Sequence, residues 1–319
     1  MANSPRVDNL KQSLLAKGTI IDGQFTILDY LGQGSTGVVY HAIDNNSQDD
    51  VVIKVIHPSL MEAVENKQQC LKIETIHQQL QHANIVPVLS VYQHDKQCFV
   101  VMPFLQGQTL RQLINKQKQS QQTFSVNQVI ELISAITSGL SVAHAYTAHQ
   151  NIKPENIWVT EQNHYILMDF GLALLQTPSQ QTRSGLTLGT AGYLAPEQLK
   201  GTAANSQYVD QYSLAVIAYE LLTGNVPSRD LEPLGKSRND IPKAVEHALH
   251  KALSFQANNR FGTITAFQKA IEGSRPASFL FNHPLKLIGV LSLAIFTFYS
   301  LKNIPSHNKP LPVTIPDAC

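Results

Sequence analysis

The sequence is short of charge, of cysteine and of any apolar run near its start. Only 15% of its 319 residues are Asp, Glu, Lys or Arg, and Gln, Asn and His supply much of the polarity instead. Lys plus Arg number 24 against 23 for Asp plus Glu, so a formal charge of +1 gives no reason to expect nucleic acid as a partner. The three cysteines, Cys70, Cys98 and Cys319, form no CxxC pair. That suits a reducing compartment, or small buried apolar residues, rather than a disulfide framework. The opening "MANSPRVDNLKQSLLAKG" has no continuous apolar stretch, which argues against a cleaved secretory signal. Internal repeats are absent as well.

What is present is enough apolar content, 43%, for a substantial core, and a length that fits one large domain or two modest ones. Residues 1–21 read as a polar leader. From Phe25 to Val55, short Val-, Ile- and Tyr-rich segments alternate with Gly and Asp/Asn turns, the pattern of antiparallel strands. A helix is expected across "MEAVENKQQCLKIETIHQQL", then strands near 86–92 and 98–102. After "LQGQTL" the spacing becomes helical. "SVNQVIELISAITSGLSVAHAYTA" has Ser125 placed to cap it, and further helices are expected at 208–222, 241–253 and 263–272. A strand-rich first third and a helix-rich remainder imply two lobes with a cleft between them.

The other end carries "LKLIGVLSLAIFTFYSL", residues 285–301, with Lys286 as its only charge. As a helix it would rise about 25 Å, just short of a bilayer core. A buried core helix is one reading. A single membrane-spanning helix is preferred, because the segment is apolar on every face, follows Pro284 and leads into the Pro-rich tail 302–319. Basic residues flank it on both sides, so charge bias barely orients it.

Several short motifs carry chemistry. "LGQGSTGVVY" places Gly32, Gly34 and Gly37 between strands, where a backbone without side chains brings its N–H groups close to phosphate oxygens. Lys54 lies in the alternating strand "DVVIKVI", from which it could reach such phosphates. Asp169 in "LMDFGLAL" ends an apolar strand and can hold a divalent cation, and Asn156 in "KPEN" offers an amide oxygen for a second. "GTAGYLAPE" ends in Glu197. Each alone could be ordinary loop chemistry.

Together, in this order, GxGxxGxVY, VIK, KPEN, DFG and APE resemble the protein-kinase family, in particular the eukaryotic-like serine/threonine kinases of bacteria, over roughly residues 22–272. The resemblance implies an α+β, bilobal protein-kinase fold. The small lobe, 22–105, would be an antiparallel sheet with one main helix, the large lobe, 106–275, mainly helical, and the transmembrane helix would follow. It implies ATP and Mg²⁺ as cofactors: Lys54 on the α- and β-phosphates, Asp169 and Asn156 on magnesium, Lys153 on the γ-phosphate. Val38 and Val52 would roof the adenine, Met102 would gate the back of its pocket, Pro103 would offer a carbonyl, and Leu105 an N–H. Asp210 in "DQYSLAVIAYELLTG" would tie down the catalytic loop, and Arg260 in "NNRF" would pair with Glu197.

The sequence departs from the family at informative places. The catalytic loop reads His149, Gln150, Asn151 where the family has histidine, arginine, aspartate. The Asn151 amide can orient a hydroxyl but cannot take its proton, which implies transfer slowed by on the order of 10²–10⁴. Gln150 removes the arginine that would read a phosphate on Thr182, Ser184 or Thr187, and Thr190 is left to bond Asn151. Counting back from "LQHANIV" puts the family's helix glutamate on Ile73, with Glu74 one residue late. Glu74 is the preferred partner of Lys54, brought round by a small irregularity; the alternative is that the Lys54 pair is absent or weakened. The expected function is therefore a membrane-anchored, cytoplasm-facing, ATP-binding protein of kinase fold, with impaired serine/threonine phosphoryl transfer and a scaffold or regulatory role toward a protein substrate or partner. The alternatives are an active kinase that tolerates Asn151, and an interaction module that has given up nucleotide.

Overall fold

Alternating apolar residues build the first lobe. Strands β1 (Ile20–Ile21), β2 (Phe25–Gly34), β3 (Gly37–Asp44), β4 (Asp50–Ile56), β5 (Ser90–His94) and β6 (Gln97–Pro103) form one antiparallel sheet in the order β1-β2-β3-β4-β6-β5. Successive strand residues point to opposite faces. On β4, Val51, Ile53 and Val55 therefore join Phe25, Ile27, Tyr40 and Phe99 on one face. Val52 and Ile56 lie with Val100 and Met102 on the other. Lys54 shares the second face, which is why a strand lysine ends up 5% exposed rather than in water. The computed structural model describes residues 14–34, 36–57, 60, 73–94, 97–171, 191–201, 206–228 and 233–273. Met1–Arg275 form one compact unit; Pro276–Cys319 form another, which lies wholly outside the described residues.

Helix α1 is described over residues 73–79. Where a strand was expected from residue 86, the chain instead runs as a connector and joins the second lobe. The Val86 N–H donates to the Leu167 carbonyl at 3.0 Å, and the Leu167 N–H to the Asn84 carbonyl at 2.8 Å. β5 begins only at Ser90.

The second lobe opens with β7 (Gly107–Thr109) and α2 (Leu110–Gln119), then α3 (Val126–Ala143). Both helices begin in capping boxes, Thr109 with Gln112 and Ser125 with Gln128. β8 (Ile157–Thr160) and β9 (Tyr165–Leu167) form a hairpin beside β7. Then come α4 (Pro196–Leu199), α5 (Gln207–Thr223), α6 (Leu234–Ser237), α7 (Lys243–Ala252) and α8 (Ile264–Glu272). α5 is buried along nearly its whole length and stops at Gly224, whose φ of +81° suits glycine.

Among the described residues one helix, α3, is long and apolar enough to cross a membrane, and it is packed as a core helix against α5 and α8. The expected span 285–301 and the tail 302–319 lie outside the described residues, as do Thr182, Ser184, Thr187 and Thr190.

Candidate functional site

The cleft-facing side of β4 and the turn after β9 meet at Lys54 and Asp169. Lys54 Nζ donates to Asp169 Oδ2 at 2.6 Å, across 115 residues of sequence. Burial alone would raise the Asp169 carboxyl, but the charge and hydrogen bond of Lys54, with help from Lys153, hold it below the usual carboxylate range. Asp169 sits at φ +62°, a conformation costly for a non-glycine residue and followed by Gly171 at φ +76°. The Lys153 ammonium is pushed down by burial and by Lys54, against the pull of Glu155 and Asp169. Two lysines and one ionised carboxylate thus share a small space.

The glycine hairpin sits at the end of β2 and β3, with Gly34 opposite Gly37. A Cβ at Gly37 would lie 2.1 Å from the Val55 carbonyl oxygen, so only glycine lets β3 pass β4 there. Gly32 and Gly34 differ: a Cβ at either would meet nothing within 4 Å. They close no contact of this kind. Val52 faces Met102 across the ladder, and both share a cluster with Leu105. Pro103 lies opposite Val51 at the end of β6. Val38 packs instead with the cluster on the outer face of the sheet.

Glu74 is a correction. The expected ion pair with Lys54 is not formed among the described residues, and Asp169 takes that place. Ile73, fully buried, lines a small cavity with Lys54, His77, Val86, Val88, Val100, Met102, Asp169 and Phe170. Helix α1 is regular from 73 onward, so Glu74 stands about 100° away from that inward direction. The irregularity needed to bring it round does not occur.

The catalytic loop is held by its backbone. Asp210, fully buried in the first turn of α5, accepts the His149 N–H at 2.7 Å and the Gln150 N–H at 2.6 Å. It also bonds His144 Nε2 at 2.9 Å. Gln150 has φ +63°, and its carbonyl accepts from Gln198 Nε2 at 2.8 Å, so the strained residue is fixed from both sides. The Asn151 N–H donates to His149 Nδ1 at 3.3 Å, which assigns the proton to Nε2, donated to the Met168 carbonyl at 2.8 Å. Burial lowers the pKa of the His149 imidazole and keeps it neutral. Asn156 donates its amide N–H to the Asn151 carbonyl at 2.9 Å, so its amide oxygen is the atom that could hold a metal.

Two further anchors brace the lobe. Arg260, its side chain fully buried, grips Glu197 through both terminal nitrogens at 2.7 and 2.9 Å. Sequence reasoning missed the second. Arg111 on α2 bonds Glu155 of the KPEN loop at 2.9 Å, buried Glu220 of α5 at 3.0 Å, and the Tyr193 hydroxyl. It also missed His77, whose signal is its place one helical turn after Ile73, and Gln198, which carries no signal in isolation.

The residues fit a nucleotide with its metal. Among the described residues no three His, Cys, Asp or Glu side chains gather as a metal cage. One carboxylate and one amide oxygen, beside two lysines, suit a magnesium ion that arrives on phosphates.

A probable serine/threonine-protein kinase, pknA2 of Bifidobacterium longum, is 34% identical over 215 residues, covering 65% of this chain and 27% of the relative. The serine/threonine-protein kinase PrkC of Bacillus subtilis is 28% identical over 263 residues, covering 77% of this chain and 40% of the relative. The chain thus spans between about a quarter and two-fifths of the length of these curated relatives. The crystal structure of the Mycobacterium tuberculosis PknI kinase domain shares the fold, with a TM-score of 0.67 at 24% identity, over 82% of this chain and 100% of that one. The family model described as "Protein kinase domain" matches residues 25–276, and the chain belongs to the protein kinase family.

Proposed function

We propose that this chain binds Mg-ATP in the cleft, transfers phosphate weakly to serine or threonine hydroxyls of proteins, and serves mainly as a scaffold or regulatory partner anchored at a membrane by residues 285–301. The observation that carries the nucleotide reading is the Lys54–Asp169 contact at 2.6 Å, with Lys153 near enough to bear on the same carboxylate. Lys54 and Lys153 would bind and orient the phosphates, while Asp169 and Asn156 would hold magnesium, which when bound neutralises charge on the transferred group. Met102, Val52 and Leu105 would close an apolar slot around the base, with the Pro103 carbonyl at its edge. Asn151 can accept a hydrogen bond from a substrate hydroxyl but leaves its proton in place. The anchor reading rests on the apolar run itself, and the need for cytosolic ATP would put the lobes on the cytoplasmic side.

An active kinase is the second reading. It is favoured by the intact suspension of the loop from Asp210 and by Lys153, since a loose transition state depends more on positioning and charge than on deprotonation.

Nucleotide binding and radiolabel transfer are compared in the full chain, native, Asn151→Asp and Lys54→Ala. Native and Asn151→Asp should bind Mg-ATP alike, with transfer about 10²–10⁴ higher in Asn151→Asp. Robust native transfer that disappears in Lys54→Ala would support the active kinase instead. Absence of metal-dependent binding would end both readings.

A further inference from the structure

Among the described residues, helix α1 makes no ion pair with the site. Its inward face carries Ile73 and, one turn later, His77, both buried, while Glu74 stands to the side and Lys54 is taken by Asp169. Yet the helix is joined to the Asp169–Gly171 turn by a different bond: His77 Nε2 lies 3.0 Å from the Phe170 carbonyl oxygen. A carbonyl can only accept, so the imidazole carries its proton on Nε2 and donates it.

We propose that His77 is a positioning residue that tethers helix α1 to the backbone of the Asp169–Gly171 turn, holding Asp169 where the metal and phosphates meet in place of a helix carboxylate facing Lys54. The proposal rests on the nucleotide reading above and deepens it.

Packing alone does not account for a histidine here. Its surroundings are mostly apolar: Ile73, Val86, Val88, Val100, Met102 and Phe170. His77 is 8% exposed, and its Nδ1 has no hydrogen-bond partner among the described residues. The cavity beside it is about 10 Å³, roughly room for one water. A leucine would fill such a place with no polar atom to satisfy, so the imidazole costs stability relative to it. What it offers in return is one directed bond to the backbone between Asp169 and Gly171. Burial pushes its pKa down, against the pull of Phe170 and Asp169, which keeps it a neutral donor. Both Asp169 and Gly171 have positive φ, so the turn has few other conformations that keep Asp169 on Lys54.

The test uses the full chain with His77→Leu, which removes the donor, and His77→Gln, which restores one. The first readout needs no nucleotide: amide hydrogen exchange over residues 168–171. The second is titration with a fluorescent ATP analogue and magnesium. In His77→Leu the gain in apolar fit offsets the stranded Phe170 carbonyl, so the unfolding temperature should stay near native. The turn of this variant should nevertheless exchange faster, and it should bind Mg-nucleotide more weakly, by about threefold to tenfold, the worth of one buried hydrogen bond. His77→Gln should return both to within about twofold of native on the same scale. Native-like exchange in His77→Leu would overturn the tether. So would equal losses in both variants accompanied by a lower unfolding temperature, since that is the mark of a packing role. If the native chain bound no Mg-nucleotide, the nucleotide reading would fall, while the exchange measurement would still decide whether His77 holds the turn.

Discussion

On the large-lobe side of the cleft the catalytic loop hangs from a fully buried Asp210 by two backbone bonds, with Arg260 and Glu197 bracing the floor beneath it. On the small-lobe side Lys54 has one carboxylate and, among the described residues, no helix glutamate, beside a glycine hairpin with open space at Gly32 and Gly34. The first region is finished by bonds within the protein, whereas the second keeps open space at two of its glycines. The altered residue, Asn151, lies in the finished region. Its neighbours are fixed by backbone bonds that do not depend on its side chain, so an asparagine there leaves the suspension of the loop from Asp210 intact.

The strongest way to break this comparison is to cut one anchor on each side. Arg260→Ala leaves Glu197 without the guanidinium that binds it through two nitrogens, and removing one partner of a buried pair costs about 3–5 kcal/mol. Lys54→Met should cost less, because Arg260 also donates to the Ser254 and Tyr208 carbonyls, which its loss would strand, whereas Met suits the apolar face of Val100 and Met102. Urea unfolding of the three proteins measures both. Equal losses would mean that the small-lobe contact is as structural as the floor.

The glycines sharpen the contrast within one hairpin. Gly37→Ala forces a methyl against the Val55 carbonyl and should destabilise by about 1–3 kcal/mol, as overpacking does. Gly34→Ala meets open space, so unfolding should be unchanged while Mg-ATP affinity falls. A stability loss at Gly34 as large as at Gly37 would show that both close contacts, and that neither is reserved for a ligand.

Much of this was legible in the sequence because it depends on local periodicity or on short motifs. The alternation of β4 puts Lys54 inward, and Ser125 with Gln128 three residues later marks the start of α3. Asp210, Arg260 and Glu197 could be placed because their motifs carry their partners with them. The register of α1 could not. A helix face is decided by packing, and Ile73 in an apolar pocket outweighs a glutamate that would need a distorted turn to reach Lys54. Arg111 was missed for the opposite reason: its partners Glu155, Tyr193 and Glu220 come from three separate segments, and no spacing announces them. The strand expected near 86–92 begins only at Ser90, and its first part gave way to the connector that bonds β9.

Acidification probes both sides of the comparison at once and has the smallest expected effect. His77 and His82 on the small-lobe side and His149 on the large-lobe side all have their pKa values lowered, with burial as the main cause. In the unfolded chain each takes up a proton near pH 6.5, whereas in the folded protein each stays neutral to a lower pH. Between those points the unfolded state binds more protons, so stability declines as pH falls, by up to about 1.4 kcal/mol per pH unit for each of the buried His77 and His149 and by less for the part-exposed His82. Asp169, held below its usual range by Lys54, adds a loss of the same sign only below about pH 4, which separates the two windows. Around His77 the facing charged and titratable groups are Asp169, Lys54 and His149; His149 and the carboxylate act on it in opposite directions. Denaturation curves from pH 7.5 to 5 should therefore slope less in His77→Gln than in the native chain, by one histidine's share. An unchanged slope would mean that His77 takes up its proton in the folded state, which would leave it a cation beside Lys54 rather than the neutral donor to Phe170.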